Sequence, residues 1–133
     1  MHEAGHAVMA LALRGELTRV SIVPDQQTLG HAVFKARTDT TDSLIVLGGV
    51  AAEQIVLGKI VGGYGENGDG DLDWIDRNCT PKTAKALLNV AQHLIKLHMP
   101  ALWALSSALL QRRVLSGADV KKVLAGKMAP KVT

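Results

Sequence analysis

His2-Glu3-Ala4-Gly5-His6 is the stretch that decides how this 133-residue chain is read. Residues at i and i+4 of an α-helix leave the same face, so its two imidazoles can reach one metal ion. Neutral imidazole suits zinc, and a catalytic zinc takes three protein ligands and keeps its fourth position for water. His2 and His6 are therefore candidate ligands. Glu3, beside the first of them, is the candidate general base, a carboxylate placed to take the proton of that water and return it to a leaving amine. Two histidines leave the site one ligand short. His2 also falls in the opening turn of its helix, where backbone N–H groups lack partners and the chain frays. Either sequence belongs upstream of it, or other segments must hold this turn in place.

Working outward, residues 2–14 read as a helix, with Val8, Met9, Leu11, Ala12 and Leu13 supplying apolar surface and Gly15 at the C-cap. Thr18–Val23 reads as a short strand and Gly30–Ala36 as a second, after a loop of Asp25, Gln26, Gln27 and Thr28. Together they make a hairpin or a small sheet. A strand exposed beside a metal offers backbone donors and acceptors to an extended peptide. His31 lies on the second strand, either facing such a cleft or as a surface histidine on an edge.

Composition bounds the rest. Hydrophobic residues make up 47% and aromatics only 3%, so the core is built from Leu, Val, Ile, Ala and Met, a mix that favours helix packing. The expected fold is α+β and mostly α-helical, in one domain over residues 1–133. A net charge of +3 with scattered lysines argues for no nucleic-acid partner. The single cysteine, Cys79, forms no intrachain disulfide and suits a reducing compartment. The start carries His and Glu where a signal peptide needs apolar residues. The greasy stretch Leu44–Ala52 is under half the roughly 20 residues of a membrane span. The expectation is a cytoplasmic protein without membrane insertion.

Thr40-Thr41-Asp42 reads as the start of a helix that runs through Leu57 and stops at Gly58. Gly48 and Gly49 lie inside it at a cost on the order of 1 kcal/mol each, which calls for a reason. Small residues let a second helix approach closely, and the zinc helix is itself small at Ala4, Gly5 and Ala7. Glu53 then stands near the metal as an acceptor for a ligand imidazole, or else faces solvent. Residues 59–70 are rich in glycine but lack the Gly-Lys-Ser/Thr ending of a phosphate loop. They lead into Asp69-Gly70-Asp71-Leu72-Asp73-Trp74, an acidic helix start that can supply the third ligand. Capping and the helix dipole alone would also account for acids there. The spacing does not complete a calcium-binding EF-hand loop.

Asn78-Cys79-Thr80-Pro81 interrupts the chain, with Thr80 as cap and Pro81 in the first turn of the next helix. Ala84, Leu87, Leu88, Ala91, Leu94 and Ile95 continue at helical spacing. His98 sits at the edge of this apolar face and reads as a satisfied core histidine rather than a fourth ligand, while His93 falls on the solvated side. Leu102, Leu105, Leu109 and Arg112 mark another helix. Ser116-Gly117-Ala118-Asp119 caps a last one through Val120, Val123 and Leu124 to Gly126. The domain thus divides into a metal-site half (2–77), a helical half (80–126) and a tail expected to be disordered (127–133).

His2-Glu3-Ala4-Gly5-His6-Ala7-Val8, Val20-Ser21-Ile22-Val23-Pro24, Leu29-Gly30-His31, Leu47-Gly48-Gly49-Val50-Ala51-Ala52-Glu53 and Gly70-Asp71-Leu72, in this order and spacing, resemble the peptidase domain of the FtsH-type ATP-dependent zinc metalloproteases. The first block is shared with many zinc peptidases; the glycine-pair block followed by Asp-Leu is specific to this group. The resemblance implies a zincin-like fold, a zinc cofactor, His2 and His6 as ligands and Glu3 as catalytic base. It also implies Asp71 as the third ligand, the acid directly before Leu72, in preference to Asp69 and Asp73. A polypeptide substrate, homo-oligomers and an ATPase partner are likewise what the family suggests. The membrane anchor and the ATPase module do not appear in these residues, and the Asn78–Pro81 break departs from the family pattern. The function expected is a zinc endopeptidase acting on unfolded or flexible polypeptide. The alternatives are a zinc-binding adaptor or assembly module, and a narrow-specificity regulatory metallopeptidase of a phage or mobile element.

Overall fold

The computed structural model describes residues 1–24 and 30–129; the expected loop Asp25-Gln26-Gln27-Thr28, with Leu29, and residues 130–133 of the expected tail lie outside the described residues. The fold is mostly helical with one small antiparallel sheet. Helix α1, His2–Ala12, is buried continuously from Ala4 to Ala10. It is a central helix rather than an amphipathic surface one. Among the described residues, no side chain caps its first turn. Instead, the Ser106 hydroxyl approaches Met1 Sδ at 3.4 Å, tying this end to a helix late in the chain.

The reversal after α1 differs from the expectation that Gly15 is its cap. Arg14, at φ 58°, takes the left-handed place, and Gly15 N–H reaches back to the Ala10 carbonyl at 2.8 Å while Arg14 N–H reaches Leu11 at 3.2 Å. These two bonds are the Schellman pair that satisfies terminal carbonyls, normally built around glycine. Gly15 is needed one step later for space, because a Cβ there would lie 2.9 Å from the Lys35 carbonyl oxygen.

Strand β1, Glu16–Ser21, pairs antiparallel with β2, His31–Lys35, in the register Val20↔Ala32, with a bulge between Leu17 and Arg19. The sheet has a third member that sequence periodicity did not reveal. Strand β3, Val114–Ser116, lies antiparallel on the other side of β1, so the order is β2-β1-β3. Val20 and Leu115, paired across that junction, are both fully buried.

Helix α2, Asp39–Leu57, starts one turn of polar residues earlier than its apolar pattern, because Thr38 caps it and exchanges bonds with Thr41. It ends at Gly58 in the left-handed conformation, φ 76°. By length and composition alone α2 matches a membrane span, yet ten of its residues are buried where it packs between α1 and the helix that follows Thr80. The glycines explain that packing. A Cβ on Gly5 would run into the Gly48 carbonyl, and one on Gly48 would meet Met9 Cγ at 2.5 Å. The two helices cross backbone to backbone.

The remaining helices follow the sequence reading closely. They are α3 (Asp71–Asn78), α4 (Pro81–Leu97, capped by Thr80), α5 (Met99–Arg112) and α6 (Gly117–Leu124, capped by Ser116). Ile95 of α4 and Leu102, Leu105 and Leu109 of α5 join Met9, Ile45 and Leu47 in one core. His98, at the α4–α5 junction, is buried and accepts the Ala129 N–H on Nδ1 at 3.0 Å. Burial lowers its pKa, as expected of a neutral core histidine. Met128 packs on the core, so the described chain is tied down to its last residue. His93 is exposed on α4.

Candidate metal centre

Helical spacing puts His2 and His6 on one side of α1, with their rings 4.6 Å apart between centroids and nearly perpendicular. Asp71, the first residue of α3, meets both. Its Oδ2 lies 2.6 Å from His2 Nε2 and 3.0 Å from His6 Nε2. The three groups are close enough together to hold one metal ion, their ligand atoms all lying within 4.8 Å of one another.

The other face of each ring decides what this cluster can do. His6 Nδ1 stands 2.8 Å from the Ile45 carbonyl, and His2 Nδ1 stands 2.5 Å from Glu53 Oε1. A carbonyl and a carboxylate only accept, so both Nδ1 atoms carry hydrogen and both neutral rings turn an Nε2 lone pair toward the Asp71 oxygen. Three lone pairs converge on one point, and a cation must stand between them, either protons or a metal ion. One oxygen and two imidazole nitrogens are a donor set that zinc accepts. Burial alone would lower the pKa of His6. Its hydrogen bond to Asp71, the charges of Asp71 and Glu3 and the Ile45 carbonyl outweigh burial and raise it to about 9. Burial likewise opposes ionisation of Asp71, but the hydrogen bonds and charges of His2 and His6 hold it well below the usual carboxylate range.

The neighbouring acids separate by role. Asp73 Oδ2 accepts the N–H groups of Gly65 at 2.8 Å and Gly70 at 2.9 Å, closing the start of α3, so its carboxylate serves as a cap. Asp69 lies against Gly65 at the rim. Glu53 is 5% exposed and, of the two readings open to it, faces His2; its second oxygen accepts from Val61 N at 2.6 Å and Gly62 N at 3.3 Å.

Glu3 lines the same cleft, a space of about 550 Å³ that also admits His2, His6, Glu53 and Asp71. Its methylene Cγ packs on Gly30, where a Cβ would come within 3.1 Å. Its apolar lining comes from Met1, Ala32, Phe34 and Val46. Phe34 stacks on His6 with centroids 6.5 Å apart. His31 is on the edge strand and also lines the cleft, taking a bond from Arg19 Nε at 3.2 Å. Two contributors carried no signal in the sequence. The Ile45 carbonyl is backbone and has no residue signature, and Phe34 stood in the second strand with nothing to mark it.

The chain is 42% identical over 78 residues to ATP-dependent zinc metalloprotease FtsH 1 of Symbiobacterium thermophilum, a match over 50% of this chain and 13% of that protein. It is 30% identical over 90 residues to FtsH 3 of the same organism, over 59% of this chain and 14% of that protein. The chain therefore corresponds to only a small part of either relative. Residues 1–75, more than half of its 133, match the family model Peptidase family M41, and the chain belongs to that family.

Proposed function

We propose that the chain is a zincin-like zinc endopeptidase domain that hydrolyses peptide bonds in unfolded or flexible polypeptide. His2 Nε2, His6 Nε2 and Asp71 Oδ2 are the groups that would hold the zinc. Bound zinc supplies a Lewis acid that polarises a carbonyl and brings the pKa of a coordinated water to about 7. The protein's own residues do the rest. Glu3 would take a proton from the attacking water and return it to the departing amine. Ile45 and Glu53 keep both rings in the tautomer that presents Nε2. Edge strand β2, unpaired on its outer side among the described residues, offers backbone groups to an extended substrate, which fits a preference for chains already unfolded.

The observation that carries this reading is the meeting of two Nδ1-committed imidazoles on one carboxylate oxygen. Membership of a peptidase family and the printed names of the two relatives support it. The test is zinc content of the purified protein by elemental analysis, for wild type and Asp71→Ala, followed by digestion of an unfolded protein substrate. One zinc per chain, sharply reduced in the variant, with cleavage by the wild type, is expected. No zinc in the wild type after reconstitution would sink the proposal. Zinc without cleavage would favour the binding or assembly module.

A further inference from the structure

Helix α2 meets the first-turn histidine of α1 at two points. Gly49 and Glu53 are one turn apart and share a face. A Cβ on Gly49 would lie 2.6 Å from His2 Nε2 and 2.8 Å from its Cδ2 and Cε1, so the imidazole rests on bare backbone there. One turn on, Glu53 Oε1 takes the Nδ1–H of the same ring. Its other oxygen takes the amides of Val61 and Gly62, at the start of the glycine-rich stretch that delivers Asp71. Farther along that stretch Leu72 N–H returns to the Gly63 carbonyl at 2.7 Å. One buried carboxylate thus has three donors, one from a histidine of the cluster and two from the loop that carries its acid.

The helix holding His2 cannot provide this order itself, since its first turn has no side-chain cap. We infer that Glu53 is a positioning residue that couples the two halves of the metal centre, fixing His2 for the metal and clamping the loop that brings Asp71. The inference rests on the zinc reading of His2, His6 and Asp71. Coupling is reciprocal: if the loop clamp raises zinc affinity by some factor, zinc tightens the loop by the same factor. Neither Val61 nor Gly62 offers a ligand side chain, so any effect of zinc on their amides passes through Glu53 or Asp71.

Two measurements test this on the full chain. Glu53→Gln keeps the size of the side chain but loses one acceptor oxygen. Its zinc dissociation constant, read by competition with a chromogenic chelator, is expected to rise roughly 10- to 100-fold, with circular dichroism like the wild type. Amide exchange at Val61 and Gly62 should quicken in the same variant. In the unsubstituted protein, adding zinc should slow exchange at those two amides, a readout that stands even where the variant fails to fold. Wild-type affinity in a folded Glu53→Gln protein, or exchange at both amides indifferent to zinc, overturns the coupling while leaving zinc binding by the wild type intact. A wild-type protein that takes up no zinc overturns the coupling and the zinc reading together.

Discussion

His6 Nδ1 lies 2.8 Å from the Ile45 carbonyl oxygen, and that single contact fixes which nitrogen faces Asp71. A backbone carbonyl has no proton to give, so Nδ1 is the donor and Nε2 is left for a proton or a metal. The two cations compete for the same atom.

The competition sets a pH dependence for zinc uptake. Without zinc, His6 holds its Nε2 proton up to about pH 9 rather than the ordinary 6.5. Zinc must displace that proton. The zinc association constant is expected to rise with pH between 6.5 and about 9, by up to about tenfold per unit, and then to level off. Chelator competition across this interval checks it, and a flat profile would show that no such proton stands in the way.

Stability of the chelated protein should run in the opposite direction. A pKa raised on folding contributes stability that is fully present below 6.5 and is lost as pH rises through about 9. For Asp71, whose pKa is lowered, the contribution is present above 3.8 and is lost as pH falls below that value. The Tm advantage of chelated wild type over chelated Asp71→Asn should therefore shrink between neutral pH and about 9. An advantage that grows there would contradict the pairing.

Glu3→Gln separates binding from chemistry. Peptide hydrolysis should fall by about 10²- to 10⁴-fold, the usual contribution of a proton-transfer group, while zinc content stays at the wild-type level. Parallel loss of zinc would assign Glu3 to the metal rather than to the proton.

Gly5→Ala addresses the helix crossing. The added methyl would strike the Gly48 carbonyl and stand 2.8 Å from the Ala52 Cβ, with backbone rather than a flexible side chain in its way. A loss of about 1–3 kcal/mol, the usual cost of overpacking, is expected in urea denaturation. An unshifted midpoint would mean the helices do not meet there.

Much of this was open to reading because it depends on spacing. The offset from His2 to His6 gives two rings on one face, and Gly48-Gly49 with Gly5 gives the close approach of α1 and α2. Asp71 was different. Asp69, Asp71 and Asp73 are equivalent by spacing, and the resemblance to a known family, rather than any pattern in the residues, singled out the one that meets both histidines. The capping bonds of Asp73 show the physical distinction, and they depend on where Gly65 and Gly70 fold back. Strand β3 was illegible because three residues are too few to establish an alternation and its partner lies far back along the chain. Arg14 was illegible because nothing local marks an arginine to turn left-handed, and the glycine beside it, which sequence would choose for that place, stands where a Cβ has no room beside Lys35.

The pairing of β3 with β1 means that the reach of kinship and the reach of cooperative folding end at different places. Likeness to the family model stops at residue 75, but Val20 is covered by Leu115, α2 leans on α4, and Met1 is met by Ser106. A chain cut at 75 would retain every residue of the metal cluster and lose the ground beneath it, exposing a second raw sheet edge prone to self-association. The residues that gather the metal cluster thus rest on contacts from the stretch without a family match, and a chain cut at 75 is expected to lose its cooperative urea transition.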